Sequence, residues 1–319
     1  MAALVALAAL ALVAPGLGVG PAGAAPAAAG PRAAVAPDQV LPPGWRSSPD
    51  VAWTTSGDAG GFHLLVAEAR TGYAWRTAAT LSEPRFETDQ WVGQACLTGS
   101  GRRAVVVYAP RQFTNRQPLF DRGAFAAVVD LASGQVRKLE VNVSLAYFDP
   151  GCGVGETAVL TQAGDVELGK TRLHLVDAAA GAVVSTVTVA GQLTSAVPDG
   201  DRIVGALGAS VVRVGRNGAV RRLARASGVP LYLHPDGDGG IVFLDRSGTA
   251  ASAQRLVGTT VRTLGRGRLG ALRVRAGTGG RVFLVGSFRQ DAGLPRRVER
   301  VDAPVAPRSR RPERWRSPG

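Results

Sequence analysis

Short apolar segments separated by turn residues run through the chain. In the clearest copy, residues 171–189, an apolar segment ends in Asp177, a turn places Gly181 in the left-handed position, and a second apolar segment follows. Asp hydrogen-bonds its own backbone in such turns, and Gly adopts positive φ without strain. The pattern predicts a β-hairpin, and its recurrence predicts an all-β chain.

The apolar segments repeat with a period of about 40 residues, which is typical of β-propeller blades that pack on one another in a ring. Their centres are Leu65, Val106, Val159, Val204, Val242 and Val282. A second hairpin turn follows each of the first five centres, with its glycine at Gly72, Gly134, Gly181, Gly218 and Gly258. We therefore expect a β-propeller of about six to seven four-stranded blades over residues 46–302.

Two units are longer than the others and contain insertions, at residues 111–122 and 162–170. Loops over one rim of a scaffold commonly carry its binding residues. The first insertion is rich in Arg, Asn, Gln and Phe, so it supplies the predicted ligand contacts: Arg111, Phe113, Asn115 and Arg116. Surface insertions without a function would read the same way.

Several segments of the chain resemble known propellers. The Asp-x-x-x-Gly-x-Val hairpin is similar to quinoprotein-like (PQQ-like) repeats, and residues 53–58, 72–78 and 144–153 resemble the N-terminal propeller-like region of large secreted actinobacterial proteins. The resemblance covers roughly residues 41–300. It implies export and a propeller, and it leaves open that this chain is a short relative or a truncation of a longer protein.

The net charge of +13 raises the question of nucleic-acid binding. Only two of the 37 basic residues are lysines, and the arginines are spread along the strands rather than clustered. An Arg, Ala, Gly and Val excess of this kind also arises from GC-rich coding. We therefore expect no specific nucleic-acid partner, although bulk electrostatic attraction to polyanions stays open.

The two ends of the chain differ from the repeat. Residues 2–14 are an unbroken apolar run, and Ala22-Gly23-Ala24 fits a small-x-small cleavage pattern. This predicts a signal peptide at 1–25, a linker at 26–45, secretion, and no transmembrane segment after cleavage; a disordered Ala-rich leader is the alternative. Residues 303–319 alternate Pro and Arg, which predicts a disordered tail.

The two cysteines, Cys96 and Cys152, precede the first strong strands of consecutive units. Equivalent positions of neighbouring blades lie close together, and exported proteins meet oxidising conditions. We predict a disulfide between them, with two buried free thiols as the alternative. No residues at ligand spacing accompany them, so no metal site is predicted.

Candidate catalytic groups are few. His63 and His174 lie inside apolar strands, and His234 lies next to the acidic turn that contains Asp236 and Asp238, which fits an Asx-turn better than a calcium loop. The acids at repeat positions are Asp58, Asp149 and Asp199, and all three occupy turns. Trp residues are absent between Trp91 and Trp315, unlike quinone-dependent dehydrogenases, which place a Trp in most blades.

The sequence thus predicts a secreted, non-catalytic propeller that binds an extracellular protein or a cell-wall glycan, without catalytic residues, cofactor or metal. The alternatives are a propeller enzyme, either a glycoside hydrolase or a quinone-dependent dehydrogenase, and a propeller fragment of a larger secreted protein. A cluster of acids near the central channel would favour an enzyme.

Overall fold

A computed structural model describes residues 36–145, 150–163 and 169–302. The predicted signal peptide, residues 26–35 of the predicted linker and the predicted Arg/Pro-rich tail lie outside these ranges, as do Asp149 and most of the second insertion.

Strands make up most of the described chain. They are β1 (Val51–Asp58), β2 (Gly61–Glu68), β3 (Trp75–Leu81), β4 (Trp91–Leu97), β5 (Arg103–Pro110), β6 (Ala124–Asp130), β7 (Val136–Val143), β8 (Gly151–Cys152), β9 (Thr157–Ala163), β10 (Lys170–Asp177), β11 (Ala182–Ala190), β12 (Leu193–Asp199), β13 (Arg202–Leu207), β14 (Ser210–Val214), β15 (Val220–Arg225), β16 (Pro230–Pro235), β17 (Ile241–Ser247), β18 (Ala250–Val257), β19 (Thr260–Ala276), β20 (Val282–Gln290) and β21 (Val298–Val301). Two short helices are α1 (Pro37–Val40) and α2 (Gln117–Arg122), and 3-10 turns lie at Trp45–Ser47, Ala69–Thr71, Arg111–Thr114 and Thr278–Gly280.

The strands form a β-propeller, which confirms the predicted all-β fold. Sheets β4–β7, β8–β11 and β12–β15 each have four antiparallel strands in chain order, and β1–β3 form a three-stranded sheet. The remaining strands, β16–β21, form one six-stranded sheet in which only the last pair, β20 and β21, is parallel.

The predicted number of blades is wrong. The described residues form five sheets rather than six or seven, and three of the five have four strands. The reason is β19, a 17-residue strand that pairs with β18 between residues 260 and 268 and with β20 between residues 265 and 276. The units centred on Val242 and Val282 therefore share one sheet instead of forming separate blades.

Within the described residues, the three-stranded sheet lacks the first strand that its neighbours have. A hairpin turn with a left-handed glycine joins the last two strands of each of the first three sheets: Gly72 (φ 66°), Gly134 (φ 73°) and Gly181 (φ 64°). This turn joins the third and fourth strands of the second and third sheets, and it joins β2 to β3 in the first. Strand β1 therefore corresponds to the second strands β5 and β9, and among the described strands the first sheet has no counterpart of β4 or β8.

The core lies between neighbouring sheets, because each central strand is covered on both faces. Residues 104–109 of β5 are all fully buried, which is why this segment is a continuous apolar run rather than an alternating one. Between the first two sheets, Phe62 and Leu64 pack with Trp91 and Tyr108. Truncating Phe62 or Trp91 to Ala would cost about 3–5 kcal/mol.

One rim of the propeller is joined by hydrogen bonds between turns of different sheets. The N–H of Gly99 donates to Gly155 O at 2.8 Å, and the N–H of Gly279 donates to Gly99 O at 2.7 Å. Within the last sheet, Gly237 N, between β16 and β17, donates to Gly280 O, between β19 and β20, at 2.8 Å. The backbones approach so closely that a Cβ on Gly99 would lie 1.8 Å from Val154 O. The turn Thr278–Gly280 thus connects the last sheet to the second one.

Candidate functional site

A cavity of about 900 Å³ occupies the centre of the propeller. Its wall comes from β4, β8, β12 and β16, which are the first strands of the last four sheets, together with the beginning of β1 and the end of β19. The polar and aromatic residues of the wall include Asp50, Trp53, Tyr73, Gln94, Ser195, Tyr232, His234, Arg275, Arg281 and Phe283.

The predicted disulfide is confirmed and forms part of this wall. Cys96 on β4 and Cys152 on β8 are joined, with their Cα atoms 5.7 Å apart. Strand β8 has only two residues, so it contributes few ladder hydrogen bonds of its own. The disulfide holds this short inner strand against its neighbour and fixes one side of the cavity.

Three wall residues adopt left-handed backbone conformations that residues other than Gly rarely adopt: Tyr73 (φ 58°), Ser195 (φ 50°) and Tyr232 (φ 53°). Ser195 and Tyr232 occupy matching bulges, where the register of β12 with β13 and of β16 with β17 shifts. Such conformations cost about 1–3 kcal/mol each and tend to cluster at functional sites. The bulges turn these two side chains out of the regular alternation of the strands.

The charge of the wall is positive. Asp50 is the one acidic residue among its described members, whereas Arg275 and Arg281 are both basic. Arg281 lies 3.7 Å from the carboxylate of Glu299 and 5.7 Å from the centroid of the Phe283 ring. The cavity is thus suited to a negatively charged group.

Arg275 lacks a carboxylate partner within the described ranges. Its guanidinium lies 5.5 Å from the centroid of the Tyr232 ring and donates one hydrogen bond, of 3.3 Å, to Val274 O. An Arg carries five N–H donors in a planar fork that matches a carboxylate or phosphate. Most of these donors are available to a ligand.

His234 is a neutral group in this wall. Burial and the nearby charge of Arg275 lower the pKa of His234 to about 4. A hydrogen bond to the backbone of Val274 raises the pKa, but by less than the other two effects lower it. At neutral pH the imidazole therefore carries no charge, and the positive charge of the cavity comes from its arginines.

The insertion predicted to bind a ligand lies away from this cavity. Arg111 follows β5 and donates its N–H to Gln90 O, next to the start of β4, whereas the Gly99 turn of the hydrogen-bonded rim follows the end of β4. Phe113 is buried and packs with its ring centroid 5.7 Å from that of Phe86. The Arg111 side chain pairs with Asp89.

Asn115 and Arg116, the two other predicted contacts, are exposed at the surface of this insertion. The structure therefore places the four predicted residues together on one segment, but it directs Phe113 into the core. Ligand binding by the exposed members of the insertion stays a prediction.

The remaining candidates from the sequence have structural roles. The carboxylate of Asp236 accepts hydrogen bonds from the N–H groups of Asp238 and Gly240 and from Arg255, which confirms the Asx-turn. Burial opposes the charge of Asp236, but the hydrogen bonds from Arg255, Gly240 N and Asp238 N and the charge of Arg255 together outweigh it and keep the pKa below the usual value. Asp236 is thus fully engaged within the fold.

The histidines and acids at other repeat positions lie outside the cavity wall. His174 is buried and shares a hydrogen bond of 2.9 Å with Thr186, and His63 shares one of the same length with Thr80. Asp58 accepts hydrogen bonds from backbone N–H groups of its own turn, and Asp199 pairs with Arg213 at 2.7 Å. Asp149 lies outside the described residues.

Sequence reasoning missed the cavity residues, although one signal was present. Ser195 and Tyr232 each lie three positions before the Pro of a Pro-Asp-Gly turn. This shared offset marks equivalent positions of two inner strands. Nothing in the local sequence marks Arg275, because it is one of many arginines on alternating positions of β19.

No protein-family model matches the chain, and no curated protein matches it. Among solved structures, it is similar to TolB from Acinetobacter baumannii, with 16% identity, a TM-score of 0.46, and coverage of 67% of this chain and 52% of that one. The chain thus spans about half the length of that TolB.

Two further similar structures come from a protease and a peptidase. The β-propeller domain of the Trilobed protease from Pyrococcus furiosus, described as having an open velcro topology, has 11% identity, a TM-score of 0.48, and coverage of 76% and 81% of the two chains. For the acylaminoacyl peptidase of Pyrococcus horikoshii the values are 10%, 0.43, 76% and 44%. None of these likenesses bears on the activity of this chain.

Proposed function

We propose that the protein is a secreted, non-catalytic binding module whose central cavity holds a negatively charged group of an extracellular partner. The observation that carries this proposal is the guanidinium of Arg275, which lines the cavity without a carboxylate partner in the described ranges. Arg275 is an exposed residue beside the Tyr232 ring, and a guanidinium held in this way with most of its donors open is suited to an anionic ligand.

The wall chemistry favours binding over hydrolysis. Glycoside hydrolysis uses two carboxyl groups facing each other, and the described part of the wall offers Asp50 alone. His234 stays neutral and hydrogen-bonded to the backbone, so it is poorly placed to act as a general base. Trp53, Tyr73, Tyr232 and Phe283 supply the apolar surface that usually accompanies a few polar groups in a ligand site.

Export is supported by two independent features. The Cys96–Cys152 disulfide is of the kind that persists in oxidising compartments. The apolar run at residues 2–14 precedes a small-x-small pattern, as in signal peptides. Within the described residues, no helix is long and apolar enough to cross a bilayer.

The test is a binding screen of the form that begins near Ala25, against carboxylated glycans, peptidoglycan fragments and acidic peptides, each with a neutral analogue. We expect anionic members to bind, and Arg275→Gln to weaken them by about tenfold or more. Arg273→Gln is the matched control, because Arg273 lies on the same strand and bonds Gly270 O outside the cavity wall.

The same screen compares the cavity with the insertion. If Arg111→Ala/Arg116→Ala abolishes binding and Arg275→Gln leaves it unchanged, the site lies on the insertion and not in the cavity. Absence of binding by a folded, disulfide-closed protein would overturn the assignment as a binding module.

A further inference from the structure

Strand β1 has an edge beside the cavity that no described strand pairs with. In its ladder with β2, Asp50, Ala52 and Thr54 belong to the set of residues whose backbone groups face β2, as shown by the bond from Ala69 N to Asp50 O. The backbone groups of Val51, Trp53 and Thr55 therefore face the other way. Within the described ranges, no strand pairs with them on that side.

The corresponding edge is covered in the other sheets. Strand β5, the counterpart of β1, pairs with β4 on one side and β6 on the other, and β9 pairs with β8 and β10 in the same manner. Among the described strands, none fills in the first sheet the position that an inner strand fills elsewhere. Exposed edges of this kind are templates for an added strand.

The vacant position opens into the cavity. Val51, Ala52 and Trp53 contribute to its wall, and Val51 is 51% exposed. Arg275 contributes to the same wall. A partner that paired with Val51 and Trp53 would thus enter the cavity that contains the guanidinium of Arg275.

Resting on the proposed function, we propose that the partner is an extended peptide segment that adds to the free edge of β1 and places a carboxylate on Arg275. Main-chain hydrogen bonds to an edge strand give affinity, and pockets for alternate side chains give specificity. In this protein, the N–H and C=O groups of Val51 and Trp53 would supply the affinity. The apolar wall and Arg275 would supply the specificity.

Charge favours a separate partner over the chain's own C-terminal sequence. Residues 303–319 contain five arginines and one glutamate, so most of their charges would repel Arg275. A glycan could place a carboxylate on Arg275, but it could not complete the ladder, because it lacks the alternating N–H and C=O groups.

The test uses a library of hexapeptides blocked at both ends, with Glu at the last position and the other five positions varied. An extended hexapeptide spans about 20 Å, enough to pair with β1 and continue into the cavity. We expect binders whose affinity falls about tenfold or more when Glu is replaced by Gln, and which lose binding when alternate peptide nitrogens are methylated.

The matched protein variants are Val51→Pro and Val51→Ala. Proline removes the N–H that faces the free edge and leaves the β1–β2 ladder intact, since edge positions of this kind tolerate proline. We expect Val51→Pro to weaken the peptides about tenfold or more and Val51→Ala to change affinity less than about threefold. Circular dichroism checks that both variants fold, and the methylated peptides test the same contact on the unaltered protein.

Three results would overturn the proposal: no binder in the library, equal binding of methylated and unmethylated peptides, or equal binding to both Val51 variants. If carboxylated glycans bind in an Arg275-dependent manner while the peptides fail, the cavity remains a site for anions and strand addition is refuted. If neither class binds, the proposed function fails as well.

Discussion

The backbone N–H of Tyr232 donates a hydrogen bond of 3.2 Å to Ser195 Oγ. This bond links β12 to β16 between two residues that both have left-handed backbone conformations. It explains how the two bulges keep their shape beside the cavity, since each strained residue is held by the neighbouring inner strand.

Replacing Ser195 by Ala should lower stability by about 1 kcal/mol, because the hydrogen bond from Tyr232 is lost while the left-handed backbone remains. Urea unfolding measures the change. Ser185→Ala on the exposed face of β11 is the control and should be close to neutral. A cost no greater than that of the control would show that the bond does not support the bulges.

Removing the disulfide should cost about 3–4 kcal/mol, because Cys96 and Cys152 close a long loop and constrain the unfolded chain. Guanidinium unfolding with and without reductant gives the difference. The variant Cys96→Ala/Cys152→Ala should unfold at the same denaturant concentration in both conditions. If reductant leaves the unmodified protein unchanged, the disulfide contributes nothing to stability.

The close approach of the Gly99 turn to the backbone of Val154 gives a further prediction. A Cβ at Gly99 would lie 1.8 Å from Val154 O, whereas at Gly155 it would meet no atom within 4 Å. Gly99→Ala should therefore destabilise the propeller by roughly 2–4 kcal/mol, and Gly155→Ala should have little effect. Thermal unfolding compares the two, and equal effects would contradict the close approach of the rim turns.

Protonation of His234 should destabilise the folded protein in mild acid. Its pKa is about 4 in the folded protein, against 6.5 for an ordinary histidine. Because the unfolded chain takes up the proton first, this contribution is complete above pH 6.5 and is lost as the pH falls towards 4, amounting to about 3 kcal/mol.

Comparing the unfolding free energy of the protein and of His234→Gln across this range isolates the effect. His174, whose pKa burial also lowers, is present in both and cancels. The variant should show a shallower loss of stability between pH 6.5 and 4. Parallel curves would mean that His234 titrates normally.

The fold could be predicted from the sequence because its signals are local. Each hairpin carries its own turn residues, as at Gly134 and Gly181, and the apolar period follows from strands packed between two sheets. The disulfide could be predicted because equivalent positions of neighbouring units lie close together in a ring, as Cys96 and Cys152 do.

The number of blades and the cavity could not be predicted in the same way. Whether β19 ends or continues depends on its pairing with β18 and β20, which is a long-range property. Leu65 also lies on β2, the counterpart of a third strand, whereas Val106, Val159, Val204 and Val242 lie on the second strands of their sheets. Arg275 differs from Arg273 on the same strand in that it lines the cavity.

The open edge of β1 underlies the account of this protein, and amide hydrogen exchange measured by NMR on the free protein tests it most directly. We expect alternation along the strand: fast exchange at Val51, Trp53 and Thr55, and slow exchange at Ala52, Thr54 and Ser56, whose N–H groups face β2. Slow exchange at all six amides would contradict the account, since it would mean that another strand already covers this edge.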